Sequence, residues 1–365
     1  MKATVLQENI LPKVMAVARV SSVKSALPVL ENMLLSAEQG KLCLSATDLE
    51  TGISTTVGAK VEKAGTLTVP ARLLTGLIGN LPPGKIVLSA EKDILELKTD
   101  VVTSRINGLS AEEFPSFPTE GRKIAVLKSK ELKEAIDQVS FAAAQDESRP
   151  ILTGILFRLT AEGLVLSGVD GFRLAEKRLK ASGEADITLV IPVQGLVEVS
   201  HLLGEGEVEI LSPEPAQLLF RTKEYTVFTQ SLEGEFPDYE QIIPANFETK
   251  VVIEKSELIK AVQLTAVFSG KGAGVVRFVF DPVKKSLEVS SEEPELGGAN
   301  IRIETTGEGK QGKIAFNGRY LMDALGALRS EEVELSLNSP LDPVLFRSPS
   351  DSSYLHVVMP IRLQE

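Results

Sequence analysis

Thr66-Leu67-Thr68-Val69-Pro70-Ala71-Arg72-Leu73-Leu74, followed by Leu81-Pro82-Pro83-Gly84-Lys85-Ile86-Val87-Leu88, reads as a strand, a tight corner, an apolar helix and a second strand. The pattern returns as Ile187-Thr188-Leu189-Val190-Ile191-Pro192-Val193-Gln194-Gly195-Leu196 with Leu203-Gly204-Glu205-Gly206-Glu207-Val208-Glu209-Ile210. It returns again as Lys313-Ile314-Ala315-Phe316-Asn317-Gly318-Arg319-Tyr320-Leu321 with Leu328-Arg329-Ser330-Glu331-Glu332-Val333-Glu334-Leu335. Val69 to Ile191 is 122 positions and Ile191 to Phe316 is 125. A period this long means three similar domains, because solenoid units run only about 20 to 50 residues.

Working outward, each copy opens with a helical segment. Glu8 to Val20, Ser129 to Val139 and Lys255 to Leu264 carry apolar residues three and four apart. Examples are Leu132, Ile136 and Val139, and Leu258, Val262 and Ala266. Ser129 and Ser256 stand where N-caps are expected. Strands with alternating apolar residues follow, such as Leu42, Leu44 and Ala46, or Leu164, Leu166 and Gly168. Each copy is therefore an α+β unit of two helices on one face of a sheet-rich layer. Copies one and two close on similar stretches, Phe114-Pro115-Ser116-Phe117 and Phe236-Pro237-Asp238-Tyr239. The expected domains are 1–121, 122–246 and 247–365, joined by short linkers that hold a fixed orientation.

The 365 residues suffice for three cores. Apolar residues make up 43% and charged residues 24%, the balance of a soluble globular chain. No apolar run approaches a membrane span and no signal-peptide core is present, so the expected location is cytoplasmic. Cys43, the one cysteine, cannot form an internal disulfide. The net charge of −11 argues against an ordinary nucleic-acid binder, although it can hide a basic surface opposite an acidic one.

Catalytic constellations are missing. His201 and His356 lie far apart, no His/Cys cluster has zinc spacing, and no nucleophile elbow appears. Ser269-Gly270-Lys271-Gly272-Ala273-Gly274 fails as a phosphate loop, because its spacing is wrong and a strand follows it. Glu112-Glu113 and Glu292-Glu293 read as surface carboxylates rather than metal ligands. Asp48 and Asp170 occupy matching strand ends, which favours turn-building over catalysis. No metal or cofactor is expected.

Several stretches together resemble the bacterial DNA polymerase III β subunit family, the sliding clamps. They are Leu44-Ser45-Ala46-Thr47-Asp48-Leu49-Glu50, Thr68-Val69-Pro70-Ala71-Arg72, Gly168-Val169-Asp170-Gly171-Phe172-Arg173-Leu174-Ala175, Phe236-Pro237-Asp238-Tyr239 and the tail Val357-Val358-Met359-Pro360-Ile361-Arg362-Leu363. The resemblance covers the whole chain in order. It implies a non-catalytic subunit of the polymerase III holoenzyme: a head-to-tail homodimeric ring of six domains around double-stranded DNA. Domain size agrees. A domain of this length is roughly 35 Å across, so three in a ring leave a hole of about 5 Å and six leave about 35 Å, against a duplex about 20 Å wide.

The resemblance further implies DNA contacts at Lys24, Arg72 and Gln145. Helix cations for the hole would be Lys13, Arg19, Lys128, Lys130, Lys133, Lys255, Lys260, Arg319 and Arg329. Pro150-Ile151 replaces the family's usual aromatic pair. A partner-peptide cleft between copies two and three would use Leu152, Val169, Gly171, Phe172, Arg173, Leu174, Pro237, Gln241, Ile242, Asn317, Tyr320 and Leu341. The tail, Val357, Val358, Met359, Pro360, Ile361, Arg362 and Leu363, would complete it. Gln241 stands where a basic residue is frequent and Phe172 where a His is frequent, while Gln364 and Glu365 extend beyond the usual final Leu. Ile106 on an edge strand, with Val267 and Phe268, would form the subunit contact. Partners implied are the replicative polymerase catalytic subunit, the clamp loader, and other polymerases and repair proteins bearing short linear peptides. A metal-dependent nuclease and an exported scaffold are the rival readings.

Overall fold

The structure is a computed structural model, and it describes residues 1–21, 27–146, 148–181, 183, 186–268, 274–293, 295 and 297–362. The first copy runs β1 (Lys2–Leu6), α1 (Gln7–Val17), β2 (Asn32–Glu38), β3 (Lys41–Thr47), β4 (Thr51–Gly58), β5 (Lys60–Lys63), β6 (Gly65–Pro70), α2 (Ala71–Gly79), β7 (Lys85–Glu91), β8 (Ile94–Lys98) and β9 (Thr103–Asn107). The second runs β10 (Arg122–Lys128), α3 (Ser129–Val139), β11 (Gly154–Thr160), β12 (Gly163–Val169), β13 (Arg173–Leu179), β14 (Ile187–Pro192), α4 (Val193–Leu202), β15 (Glu207–Ser212), β16 (Gln217–Arg221) and β17 (Tyr225–Gln230). The third runs β18 (Thr249–Glu254), α5 (Lys255–Ala266), β19 (Val275–Asp281), β20 (Ser286–Glu293), β21 (Gly297–Glu304), β22 (Thr306–Glu308), β23 (Gly312–Asn317), α6 (Gly318–Ala327), β24 (Glu332–Leu337), β25 (Val344–Arg347) and β26 (Tyr354–Val358). Two helices per copy, on the same places of the repeat, match the expectation.

The periodicities hold in detail with two corrections. Leu132, Ile136 and Val139 of α3 are fully buried, as are Leu42, Leu44 and Ala46 of β3. On α5 the third stripe position is Thr265 and not Ala266, because the Thr265 hydroxyl donates to the Ala261 carbonyl at 2.9 Å and so can be buried. Neither expected serine caps its helix: Ser129 is the first residue of α3 and its buried Oγ has no hydrogen-bond partner among the described residues, and Ser256 is not the N-cap of α5. That place belongs to Glu254, whose carboxylate accepts from the Glu257 N–H at 2.8 Å and from the Ser256 hydroxyl at 2.7 Å. Gly168 is needed as glycine: a Cβ there would stand 2.7 Å from the Val139 carbonyl oxygen and 2.9 Å from Ile155 Cδ1.

The compact units follow sheets rather than copies. One unit comprises Met1–Lys133, Ala181–Ala185 and Gln194–Leu232; the other comprises Glu134–Lys180, Asp186–Val193 and Glu233–Glu365. The first contains a five-stranded sheet, β5-β1-β7-β8-β9, and an eight-stranded sheet, β10-β15-β16-β17-β4-β3-β2-β6. The second contains a nine-stranded sheet, β14-β11-β12-β13-β26-β25-β24-β18-β22, and a four-stranded sheet, β21-β20-β19-β23. All pairings among the described residues are antiparallel, and each copy splits its strands between two sheets.

Both large sheets are joined by the same kind of strand pair. In the first unit β17 lies beside β4, with Phe228 opposite Gly52 and Thr226 opposite Ser54. In the second β26 lies beside β13, with Val357 opposite Leu174 and Leu355 opposite Glu176. The bond that ends each ladder is also the same: Gln230 N–H to Glu50 O and Met359 N–H to Phe172 O, both 2.8 Å. Last strand of one copy against fourth strand of another is thus a rule of this chain, used twice. The members left over are β9 and β21, and each is the edge of its sheet.

Candidate functional site

The second junction begins at the turn Asp170-Gly171-Phe172-Arg173. Asp170 Oδ1 accepts the backbone N–H groups of Phe172 and Arg173, each at 2.9 Å, and Gly171 supplies a φ of +89°. Asp48 does the same in the first copy, accepting from Glu50 at 3.0 Å and Thr51 at 2.7 Å. Both aspartates are turn builders, as their recurrence predicts. The turn leaves Phe172 63% exposed at the start of β13.

Arg173 is the centre of the site, and it is occupied. Its side chain is 5% exposed. Nε donates to Asp170 Oδ2 at 2.9 Å, Nη1 to Asp323 of α6, and Nη2 to the carbonyl of Phe141 just beyond α3. The guanidinium lies 4.4 Å from the centre of the Tyr320 ring and 5.4 Å from that of Phe141. A buried guanidinium needs such partners, and here it joins a turn, the end of α3, the middle of α6 and two rings. Its fork is therefore committed to holding the site together. Phe141 stacks in turn on His356 of β26, with ring centres 5.5 Å apart. Burial first, and the positive charge of Arg173 next, lower the His356 pKa to about 3, so this imidazole is neutral.

A cavity of about 550 Å³ opens beside Arg173. Leu152, Gly171, Phe172, Arg173 and Tyr320 of the expected cleft line it, and so does Gln145, which the resemblance assigns to DNA. Ala143, Ala144, Asp146, Ser148, Arg149, Asp170 and Arg319 complete the lining. Asn317 caps α6 by accepting from the Arg319 and Tyr320 N–H groups, which fixes Tyr320 over the guanidinium. The tail forms the neighbouring wall: Met359 N–H bonds Phe172 O, and Ile361 N–H bonds Ala315 O at 2.8 Å. Met359, Pro360 and Ile361 are half-buried and Arg362 is exposed, whereas Leu363 lies outside the described residues.

Other expected cleft residues are floor and not surface. Val169, Leu174 and Val357 form one core cluster with Leu156, Tyr239 and Leu345, and Val358 is fully buried. Pro237 and Gln241 are exposed, and Ile242 and Leu341 keep 39% and 54% of their surface. Phe172, Ile242 and Leu341 are exposed large apolar side chains of the kind that mark a binding surface. Asp323, Phe141 and His356 were not anticipated. Asp323 was within reach of the sequence, being one turn beyond Tyr320 on α6; Phe141 contributes a backbone carbonyl, which no pattern marks.

The helix cations are less available than their number suggests. Lys13 pairs with Glu224, Arg19 with Glu198, and Lys128 with Glu131 at 2.9 Å. Lys133 Nζ donates to Ser200, and Lys255 Nζ to the Leu328 carbonyl. Arg72, on the first turn of α2, is exposed and has no ion pair among the described residues. Lys24 lies outside them. On β9, Ile106 sits on a sheet edge, but its side chain is only 2% exposed. Gly108 N–H to Asp93 O and Thr99 N–H to Val102 O set the ladder phase, so the backbone groups of Thr103, Arg105 and Asn107 turn outward. Val267 is 71% exposed and Phe268 half-buried. No group of His, Cys, Asp and Glu able to hold a metal occurs among the described residues, and no helix there is long and apolar enough to cross a membrane.

Family models of the DNA polymerase III beta subunit match in order: the N-terminal domain over 1–118, the central domain over 126–238 and the C-terminal domain over 240–362. The beta sliding clamp of Synechocystis sp. is 31% identical over 391 residues, covering all of both chains. The chain belongs to the beta sliding clamps. The beta sliding clamp of Bacillus subtilis is 27% identical over 99% of this chain. Solved clamps share the fold throughout. The Bacillus subtilis clamp matches with a TM-score of 0.96 at 26% identity, and the Pseudomonas aeruginosa clamp bound to griselimycin with 0.94 at 30%, each covering both chains fully.

Proposed function

We propose that two copies of this sliding clamp close head to tail around duplex DNA and tether replication and repair proteins through the groove at the second junction. The observation that carries the ring is the repeated strand pair. β17·β4 and β13·β26 join consecutive copies, and the same rule applied to the leftover edges pairs β9 of one chain with β21 of the next. Two identical heterologous contacts then close a dimer. Carrying over the register places Arg105 opposite Gly298 and Thr103 opposite Asn300, with Ile106 facing Gly297 where no side chain competes. Val267 and Phe268 add apolar contact at the same seam. Three such domains per chain and two chains per ring satisfy the size of a duplex.

The ring performs no chemistry and works in the cytoplasm as part of the polymerase III holoenzyme. It holds the polymerase on DNA by topology, so Lys24, Arg72 and Gln145 need supply only weak phosphate contacts, and a lining in which Lys13, Arg19 and Lys128 already carry acid partners suits sliding. The groove takes short peptides by apolar anchors at Phe172, Ile242, Leu341 and the tail. Support for that use comes from the exposed Phe172, which lines a preformed cavity.

Topology is tested by loading the clamp on DNA at high salt. Retention on closed circles with release after linearisation is expected; equal salt sensitivity on both refutes encirclement. Replacing Arg105 by Pro removes an outward N–H from β9 and should give monomers by light scattering. A persistent dimer would place the contact elsewhere.

A further inference from the structure

We propose that Glu176 and Tyr239 are positioning residues of the groove: their hydrogen bond fixes the turn that presents Pro237, Gln241 and Ile242 to a partner peptide. The inference rests on the groove being the partner site.

Glu176 lies on β13 with 1% of its surface exposed. Its carboxylate accepts from the Tyr239 hydroxyl at 2.6 Å and from Arg178 Nε at 2.7 Å. Tyr239 is itself 2% exposed, packed among Leu156, Val169, Leu174, Leu345 and Val357. Tyr239 is also the first residue of a 3₁₀ turn that ends at Ile242. Fixing the hydroxyl therefore fixes where the turn starts. Arg158 of β11 holds the next residue through Glu240 at 2.6 Å, and Gln241 Nε2 closes back on Asp238 at 2.6 Å. Every polar member of the turn is tied, while Ile242 is left outside.

The first junction is an internal control. Glu176 stands opposite Leu355 of β26, and the residue in that place on β4, opposite Thr226, is Ser54. Tyr239 of Phe236-Pro237-Asp238-Tyr239 corresponds to Phe117 of Phe114-Pro115-Ser116-Phe117. Phe117 is held by packing alone, stacked 5.8 Å from Phe228 and against Gly52, and no helical turn follows it. A continuous sheet thus forms without any buried carboxylate. Burying one is costly unless it is paired, so its presence only where an exposed apolar turn must be aimed points to placement rather than to sheet stability. Aiming that wall in advance lowers the ordering cost of binding.

The test uses the full-length dimer and a fluorescein-labelled peptide containing the clamp-binding segment of the replicative polymerase catalytic subunit, read by anisotropy. Tyr239→Phe should raise Kd about tenfold, the worth of a charge-assisted hydrogen bond, with dimer mass unchanged. Glu176→Gln keeps an acceptor and should stay within about threefold of the parent. Because Tyr239 acts through the turn, Ile242→Ala should cost much less in the Tyr239→Phe background than alone. Parental affinity in Tyr239→Phe, or losses that simply multiply in the double variant, would overturn the positioning role. Deleting Met359 through Glu365 separates the two readings. If that deletion spares peptide binding, the groove assignment falls; if it abolishes binding while Tyr239→Phe binds normally, only the positioning role falls.

Discussion

The two junctions share a strand pair, a register and a closing hydrogen bond, yet their helices meet the sheet through different side chains. The difference lies in two positions of the repeat. Where the second junction has Arg173 and Tyr320, the first has Thr51 and Gly195. A Cβ on Gly195 would stand 3.0 Å from both Thr51 Oγ1 and Thr229 Oγ1, so α4 lies flush on the sheet end. At the second junction a guanidinium and a ring, 4.4 Å apart, stand between α6 and the sheet, and the cavity of about 550 Å³ lies beside them. The helix acid is retained in both places, as Glu198 and Asp323, and each bonds an arginine. At the first junction that arginine is Arg19, from the turn after α1, which leaves the strand position free for a small residue. Arg173 and Tyr320 thus act as a spacer between helix and sheet, with the strand pair itself unchanged.

Swapping residues between junctions should break the comparison in a graded way. Arg173→Thr should have the largest effect, about 3 kcal/mol of stability and most of the peptide affinity, since Asp170 and Asp323 lose their common partner. Chemical denaturation and anisotropy check both; a variant that binds peptide normally would show the spacer to be dispensable. Phe117→Ala should cost about 2 kcal/mol by leaving a hole beside Phe228 while sparing peptide binding at the other junction. A matching loss of peptide affinity would mean the junctions are coupled. Gly195→Ala should cost about 1 kcal/mol by pressing on Thr51 and Thr229, seen as a melting shift of a few degrees.

The last effect is confined to acid pH and vanishes at neutrality. His356 occupies the place held by Val227 at the first junction. Burial, reinforced by Arg173, lowers its pKa from 6.5 to about 3. The folded state therefore refuses a proton that the unfolded chain accepts below pH 6.5, and stability falls as pH drops from 6.5 toward 3, with no contribution above that window. His356→Val should flatten the slope over that range. An unchanged slope would assign it to other groups.

Much of the fold was legible because strand, corner, helix and strand recur at a spacing no local accident produces. Sharing of sheets between copies was not. β4 and β17 are over 160 positions apart, and neither strand carries a mark of its partner. Cap choice also escaped: Ser256 has the better intrinsic preference, but Glu254 sits where its carboxylate meets the free N–H. Resemblance named the groove residues without their roles. It could not distinguish the floor, Val169, Leu174 and Val357, from the exposed Phe172 and Leu341, because both are simply apolar in sequence. Nor could it tell that Arg173 is fully engaged, since one of its three partners is a backbone carbonyl.

The leftover edges have a consequence for assembly. A subunit with two unequal, complementary edges is formally the repeat unit of a filament, and whether it grows or stops depends on the angle between successive copies rather than on contact strength. Once the angle closes, neither of these two edges is left to recruit a further chain, and growth by this rule ends at a fixed number. Arg105 itself is ion-paired with Glu96 of β8 at 3.1 Å, and in the proposed pairing it stands opposite Gly298, which has no side chain. Under the proposed pairing, one β9 and one β21 per chain are enough to complete the circle.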